Sequence, residues 1–129
     1  MPHPSAPDPD PAPGLVTIGR AAKKATLGGR TQVIVPVSGD AAALSRQVEA
    51  LASCRADIVE WRVDTFLSSL VGAHFVSASD VEEDLVRMAH YVADSSPLPV
   101  LATIRTSVEG GEAYLDDEEY CALVRRLAS

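Results

Sequence analysis

Long hydrophobic runs are missing from this sequence of 129 residues. No segment approaches the roughly 20 consecutive apolar residues that a membrane helix requires, so the composition argues against a membrane partner. The amino terminus shows neither a basic leader nor an apolar stretch of signal-peptide length. We therefore expect a cytoplasmic protein.

Cysteine is also scarce. The two cysteines, Cys54 and Cys121, do not have the spacing of metal ligands. Free thiols in a reducing compartment are the expected state, and no metal site is predicted.

Basic residues are outnumbered, with 11 Lys and Arg against 18 Asp and Glu and a formal net charge of −7. No basic stripe with interleaved aromatic residues is present, which argues against a nucleic-acid partner. An anionic small molecule remains compatible with this charge, because a few arginines directed at one point outweigh the average surface potential.

The composition itself, with 47% hydrophobic and 22% charged residues, is typical of a globular domain. Six of the nine prolines lie within the first thirteen residues, where little apolar surface is available to offset the entropy of ordering. We expect a disordered proline-rich tail over residues 1–14 and one folded region over residues 15–129.

This folded region alternates strand-like and helix-like segments. Glycine-bounded apolar runs between residues 15 and 30 predict a short hairpin. Apolar periodicity predicts strands over residues 31–37, 57–63 and 100–105, and helices over residues 41–55, from 79 to the prolines at 97 and 99, and from about 116 onward. This β-α-β-α-β-α order predicts an α/β fold with a parallel sheet, either doubly wound or a (β/α)8 barrel.

Two of the predicted helices begin with the spacing of a capping box. Ser79 is followed three residues later by Glu82, and Asp116 by Glu119. In each pair the two side chains can accept hydrogen bonds from each other's backbone amides, so we expect both helices to start there.

Charged residues follow the second and third strands at their carboxyl ends. Strand alternation sets Glu60 and Arg62 on one face of the second strand, opposite to Val59 and Trp61, and Arg105 falls on the corresponding face of the third. Parallel strands are normally buried on both faces, so charge at their ends favours a hydrated binding mouth. Two neighbouring strands are thus predicted to direct charge toward one place.

The segments DIVEWRVD, residues 57–64, and ATIRTSVEGGE, residues 102–112, resemble the signature segments of type I 3-dehydroquinate dehydratase, in the family's order and spacing. The resemblance covers about residues 15 to 129 but only the amino-terminal half of the family's length. It implies a partial (β/α)8 barrel, consisting of the first three βα units preceded by the hairpin.

The same resemblance implies an activity: dehydration of 3-dehydroquinate to 3-dehydroshikimate, in the shikimate pathway, through an imine between a lysine and the substrate ketone. It implies no metal or organic cofactor, and a homodimer for the full-length protein. By position, Glu60, Arg62 and Arg105 would orient the substrate, and Glu109 would hold the catalytic histidine. A guanidinium offers several donors to an oxygen-rich ligand, and a carboxylate can fix an imidazole tautomer.

The histidine base and the imine-forming lysine belong to later strands of the family. The only lysines here are Lys23 and Lys24, in the predicted hairpin, and none of the histidines matches the family's base (His3, His74, His90). We therefore expect the isolated chain to be catalytically inactive.

Other interpretations of the sequence stay open. The chain could be a non-catalytic half-barrel that binds a polyhydroxylated acid or a partner protein, or an unrelated open α/β module. Glu60 and Arg62 could form only an ion pair at an exposed strand end. Asp64 is expected to organise the loop after its strand rather than touch substrate, and Trp61 is expected to be a packing anchor.

Overall fold

The computed structural model describes residues 14–20, 22–73 and 78–129. Two sheets and four α-helices make up these segments. The predicted tail, apart from Gly14, lies outside the described residues, as do His3 and His74. Within the described segments, every helix is too short or too polar to cross a membrane.

The first sheet is the expected hairpin. Strand β1 (Val16–Arg20) pairs antiparallel with β2 (Lys23–Leu27), in a register that sets Val16 opposite Leu27 and Arg20 opposite Lys23. This confirms the hairpin predicted from the glycine-bounded apolar runs.

The second sheet has three parallel strands in the order β3 (Ile34–Val37), β4 (Ile58–Arg62) and β5 (Val100–Thr103). The α/β fold with a parallel sheet is therefore confirmed. All three strands are shorter than predicted, and β5 ends two residues before Arg105. Ile104 and Arg105 are not part of β5, because the chain turns there into a short loop. Hydrogen bonds within this loop replace those between neighbouring strands.

The helices are α1 (Ala41–Ala50), α2 (Val63–Ala73), α3 (Ala78–Ser95) and α4 (Asp117–Ala128). Helix α1 ends before the predicted limit, because a 3₁₀ turn, Leu51–Ser53, follows it. Helix α3 begins one residue before the predicted cap at Ser79. The capping box at α4 is confirmed, since Asp116 and Glu119 accept from each other's amides at 2.8 and 2.9 Å.

Helix α2 was not predicted from the sequence. It follows β4 without an intervening loop, so Val63, which the alternation pattern places in the strand, is instead the first residue of a helix. Asp64 lies in the first turn, where a carboxylate is favoured by the positive end of the helix dipole. Alternation of apolar residues through position 63 concealed this change, because a buried helix start and a buried strand end look alike over so few residues.

The hydrophobic core lies between the parallel sheet and the helices. Trp61 is fully buried there, with its ring centroid 6.2 Å from that of Phe66, which confirms its role as a packing anchor. On the other face of the sheet, Ile34 and Leu101 are 48% and 42% exposed. Helices therefore cover one face, and the face that carries Glu60 and Arg62 remains accessible.

Candidate active site

Glu60 on β4 and Thr103 on β5 lie on the accessible face of the sheet. The parallel register sets Arg62 opposite Thr103. The Thr103 hydroxyl donates to Glu60 Oε2 across the two strands at 3.1 Å. Strand alternation thus correctly predicted which side chains of β4 share this face. The Glu60 carboxylate is held there by the Thr103 side chain of the adjacent strand.

Arg62, at the end of β4, forms a two-point ion pair with Asp64. Its Nε donates to Oδ1 at 2.9 Å and its Nη2 donates to Oδ2 at 2.8 Å. The Asp64 side chain is fully buried, whereas that of Arg62 keeps 24% of its surface exposed. The open interpretation that Glu60 and Arg62 pair only with each other does not describe this geometry, because each has a different partner.

Asp64 also accepts hydrogen bonds from two backbone amides of the loop that follows β5. The Arg105 amide donates to Oδ1 at 3.3 Å, and the Glu112 amide donates to Oδ2 at 3.1 Å. The expectation from sequence is that Asp64 organises the loop after its own strand. It instead binds both ends of the loop after the next strand, residues 105–112, which no sequence pattern indicated.

The environment of Asp64 influences its ionisation in two directions. Burial is the largest influence and acts to raise the pKa of Asp64, because a carboxylate is poorly solvated in the interior. The hydrogen bonds from Arg62 and from the two amides, with the positive charge of Arg62, act downward and together prevail, so this pKa lies below its ordinary value. The pKa of Arg62 is raised, chiefly by its hydrogen bonds to Asp64.

Arg105 begins the loop, and two glycines shape its return. Gly110 has a φ of +87°, which suits glycine. A Cβ on Gly111 would overlap the carbonyl oxygen and carbon of Arg105, so the two backbone segments can approach this closely only without a side chain. The Arg105 side chain is exposed and passes beside Gly110, where a Cβ would lie 3.4 Å from Arg105 Nη2.

Glu109 lies in a 3₁₀ turn, Ser107–Glu109, within this loop. Its carboxylate accepts from the Thr106 amide at 3.3 Å and from the Thr106 hydroxyl at 3.0 Å, in a capping box that was not predicted although the Thr-x-x-Glu spacing is present in the sequence. Glu109 is exposed. No hydrogen bond or ion pair among the described residues joins the side chains of Arg105 or Glu109 to Glu60 or Arg62.

The other candidate groups lie elsewhere. Lys23 donates to the carbonyls of Ala93 and Asp94 at 2.9 and 3.3 Å, near the end of α3, which precedes the start of β5. This is the amino end of the parallel strands, away from Arg62. His90 lines a cavity together with Trp61, on the helix-covered face. Within the described part of the chain, no group of three His, Cys, Asp or Glu residues could hold a metal ion.

Comparisons with known proteins identify the family of this chain. The family model described as type I 3-dehydroquinase matches residues 33–129. A 3-dehydroquinate dehydratase of Klebsiella pneumoniae is 34% identical over 101 residues, which cover 78% of this chain and 37% of that protein. Another, from Clostridioides difficile, is 30% identical over 109 residues, covering 83% of this chain and 39% of that protein.

A solved structure shows the same likeness. The crystal structure of type I 3-dehydroquinate dehydratase from Clostridium difficile with covalently modified comenic acid has a TM-score of 0.60 and 27% identity, covering 88% of this chain and 41% of that one. The chain thus spans about two fifths of the length of the relatives it matches. The resemblance seen in the sequence is confirmed, and the chain belongs to the type I 3-dehydroquinase family.

Proposed function

We propose that this chain provides the substrate-orienting part of a 3-dehydroquinate dehydratase, which removes water from 3-dehydroquinate to form 3-dehydroshikimate in the shikimate pathway. Family membership supports the reaction. The single observation that carries the proposal is the cluster at the carboxyl ends of β4 and β5, where Thr103 holds Glu60 and Asp64 joins Arg62 to the backbone of Arg105. Binding residues at this end of a parallel sheet are the rule in barrel enzymes.

We assign residues 15–129 to the amino-terminal part of a (β/α)8 barrel. Two features of the described sheet support this assignment. Strands β3 and β5 each pair only with β4 within the described segments, so both outer edges are available to further strands. Ile34 and Leu101 on the accessible face are apolar, as interior positions of a closed barrel are.

Arg62 is suited to bind a carboxylate or hydroxyl group of the substrate. A guanidinium has five N–H donors, of which two are used by Asp64, so the others can address a ligand. Glu60 can accept from a substrate hydroxyl while Thr103 holds its other side. Arg105 is exposed at the start of the loop and provides a second guanidinium for an anionic group.

Glu109 is assigned to hold and polarise a histidine base. Its exposed carboxylate is oriented by Thr106, which leaves further acceptor sites for an imidazole N–H. The imine requires a neutral lysine that attacks the substrate ketone. Neither the base nor this lysine is assigned to a residue of this chain. For the full-length protein we propose a homodimer in the cytoplasm.

The proposal is tested by adding 3-dehydroquinate to the ¹⁵N-labelled chain and following its NMR spectrum. We expect saturable shifts at the side chains of Arg62 and Arg105, and loss of binding on Arg62→Ala. Arg30→Ala is the matched control, because Arg30 also pairs with an aspartate but lies at the opposite end of β4, beside Asp57. Equal effects of the two substitutions, or no shift with the wild-type chain, would contradict the proposal.

Specific binding of 3-dehydroquinate without any effect of Arg62 or Arg105 would instead favour the alternative, a non-catalytic binding module with a different contact surface. The exposed apolar face of the sheet is the observation that favours this alternative. Shifts confined to Ile34 and Leu101 would identify that surface.

A further inference from the structure

Asp64 is a buried carboxylate that receives four hydrogen bonds from three parts of the chain. Two come from the Arg62 guanidinium, one from the Arg105 amide and one from the Glu112 amide. Its side chain has no exposed surface, so a ligand on the accessible face cannot reach it. We propose that Asp64 is a positioning residue that holds Arg62 and the backbone of Arg105 in one fixed arrangement; this inference rests on the proposed function.

The contact with Arg62 fixes the direction of the guanidinium. Two parallel N–H donors on a planar group meet two carboxylate oxygens, a geometry that permits little rotation. The arginine side chain otherwise samples many rotamers, and a ligand would have to order it on binding. Asp64 removes that cost before the ligand arrives, because Arg62 is already held in one orientation while 24% of its side-chain surface stays exposed.

The contact with the loop fixes the position of the Arg105 backbone. The loop closes on itself, since the Ser107 amide donates to the Ala113 carbonyl at 2.8 Å and the Gly111 amide to the Thr106 carbonyl at 2.8 Å. Only the Asp64 oxygens join its two ends to Arg62 in the hydrogen bonds of the described residues. Movement of Asp64 would therefore change the distance between Arg62 and the Arg105 backbone, as well as the orientation of the Arg62 guanidinium.

A purely structural role would be simpler: Asp64 could serve only as the favourable acidic residue in the first turn of α2. That role predicts a loss of stability when the charge is removed, with no change in the order of Arg62. The positioning role predicts a change in Arg62 itself. The two are separated by a signal from the arginine side chain.

The experiment compares the wild-type chain with Asp64→Asn and Asp57→Asn. Asp57 is a matched control, because it lies at the other end of β4 and has similar partners. It accepts hydrogen bonds from Arg30 Nη2 at 2.7 Å and from the Val33 amide at 2.8 Å. We follow the ¹⁵Nε–¹H signal of each arginine without ligand, then measure the affinity for 3-dehydroquinate. Far-UV circular dichroism checks that each variant is folded.

Asparagine keeps only one of the two acceptor oxygens, so we expect Asp64→Asn to shift the Arg62 Nε–H signal and speed its exchange, and to weaken ligand binding by on the order of tenfold or more, as misplaced binding groups do. Asp57→Asn should alter neither. An unchanged Arg62 signal in folded Asp64→Asn overturns the inference, as does an equal loss of affinity in both variants. Failure of the wild-type chain to bind contradicts the proposed function, whereas the Arg62 signal still decides whether Asp64 holds this arginine.

If Asp64→Asn does not fold, the wild-type chain provides the same test by acid titration. The Asp64 carboxyl carbon and the Arg62 Nε–H signal should change over the same pH interval. Glu60 and Glu112, the other carboxylates whose charges act on Arg62, are followed separately through their own carbon signals. An Arg62 signal that follows either glutamate, or remains constant while Asp64 is protonated, overturns the inference.

Discussion

The hydroxyl of Thr103 donates to Oε2 of Glu60 at 3.1 Å, from one strand of the parallel sheet to the next. The two residues are 43 positions apart in sequence, and both are partly buried. The bond gives the Glu60 carboxylate a defined position on the accessible face, where we propose that a substrate hydroxyl binds.

Replacing Thr103 by valine should weaken 3-dehydroquinate binding several-fold. The change keeps the side-chain shape but removes a hydrogen bond to a charged group, which is worth about 1.5–3 kcal/mol, part of which is recovered when water solvates Glu60. Isothermal titration calorimetry measures the affinity. Thr26→Val is the control, because the Thr17 and Thr26 hydroxyls pair in the exposed hairpin at 3.5 Å. Similar affinities for Thr103→Val and the wild type would count against a role for this bond.

The stability provided by Asp64 should depend on pH in one direction. The folded-state pKa of Asp64 lies below its ordinary value of 3.8, so the carboxylate stabilises the fold fully above that value. This contribution is lost as the pH falls through the folded-state pKa. Asp64→Asn should therefore lower the free energy of unfolding by about 3 kcal/mol at neutral pH, because it leaves Arg62 partly buried without its partner.

Urea unfolding at neutral pH and at progressively lower pH measures this effect. The difference between the wild type and Asp64→Asn should diminish in acid. The pKa of Asp57 is also lowered, chiefly by its hydrogen bond from Arg30, but solvent screens that pair, and Asp57→Asn should have a much smaller effect. A difference that stays constant with pH would show that charge is not the source of the stabilisation.

A side chain at Gly111 should displace the loop that carries Arg105 and Glu109. A Cβ there would overlap the Arg105 carbonyl, which is backbone and cannot rotate away. We expect Gly111→Ala to reduce the free energy of unfolding by about 1–3 kcal/mol, the usual cost of forcing an extra carbon into a packed position. Thermal unfolding gives the measurement.

Gly29→Ala is the matched control, because its nearest neighbour would be a Leu15 methyl carbon at an ordinary 3.8 Å. Gly29→Ala should therefore be tolerated. If Gly111→Ala leaves the unfolding temperature and the Arg105 amide signal unchanged, the close approach of the two backbone segments is not required.

The isolated chain should form no borohydride-stable adduct with 3-dehydroquinate. Lys23 is engaged by the carbonyls of Ala93 and Asp94 at the amino end of the sheet, far from Arg62 and Glu60. Lys24 is its neighbour on β2. Intact-mass spectrometry after reduction provides the measurement, with Lys23→Arg as a control for nonspecific reaction. An adduct that requires Arg62 would contradict the prediction and assign imine formation to this chain.

Several features could be predicted from local sequence because their causes are local. Alternation of side chains placed Glu60 and Arg62 on one face of β4, and the spacing of Asp116 and Glu119 correctly identified the start of α4. The glycine-bounded apolar runs predicted the hairpin. The roles assigned to Glu60, Arg62, Arg105 and Glu109 by family resemblance remain predictions that the proposed experiments test.

Other features depended on contacts between distant segments. The abrupt change from β4 to α2 at Val63 has no glycine or proline to mark it, and the early end of β5 follows from the hydrogen bonds of the loop behind Arg105. The two corrections have different causes. At Val63 a short apolar segment is compatible with both strand and helix, and tertiary packing selects between them.

The sequence by itself determined the family, the α/β class and the charged residues at the carboxyl ends of two strands, because these follow from residue type and spacing. Only the tertiary structure decided which groups hold those charged residues in position. Asp64 is two positions from Arg62 in the sequence, but it is 41 and 48 positions from Arg105 and Glu112, whose amides it also binds. Such contacts exist only once parallel strands have aligned, since the backbone amides that meet a buried carboxylate are present in every residue and carry no sequence signal.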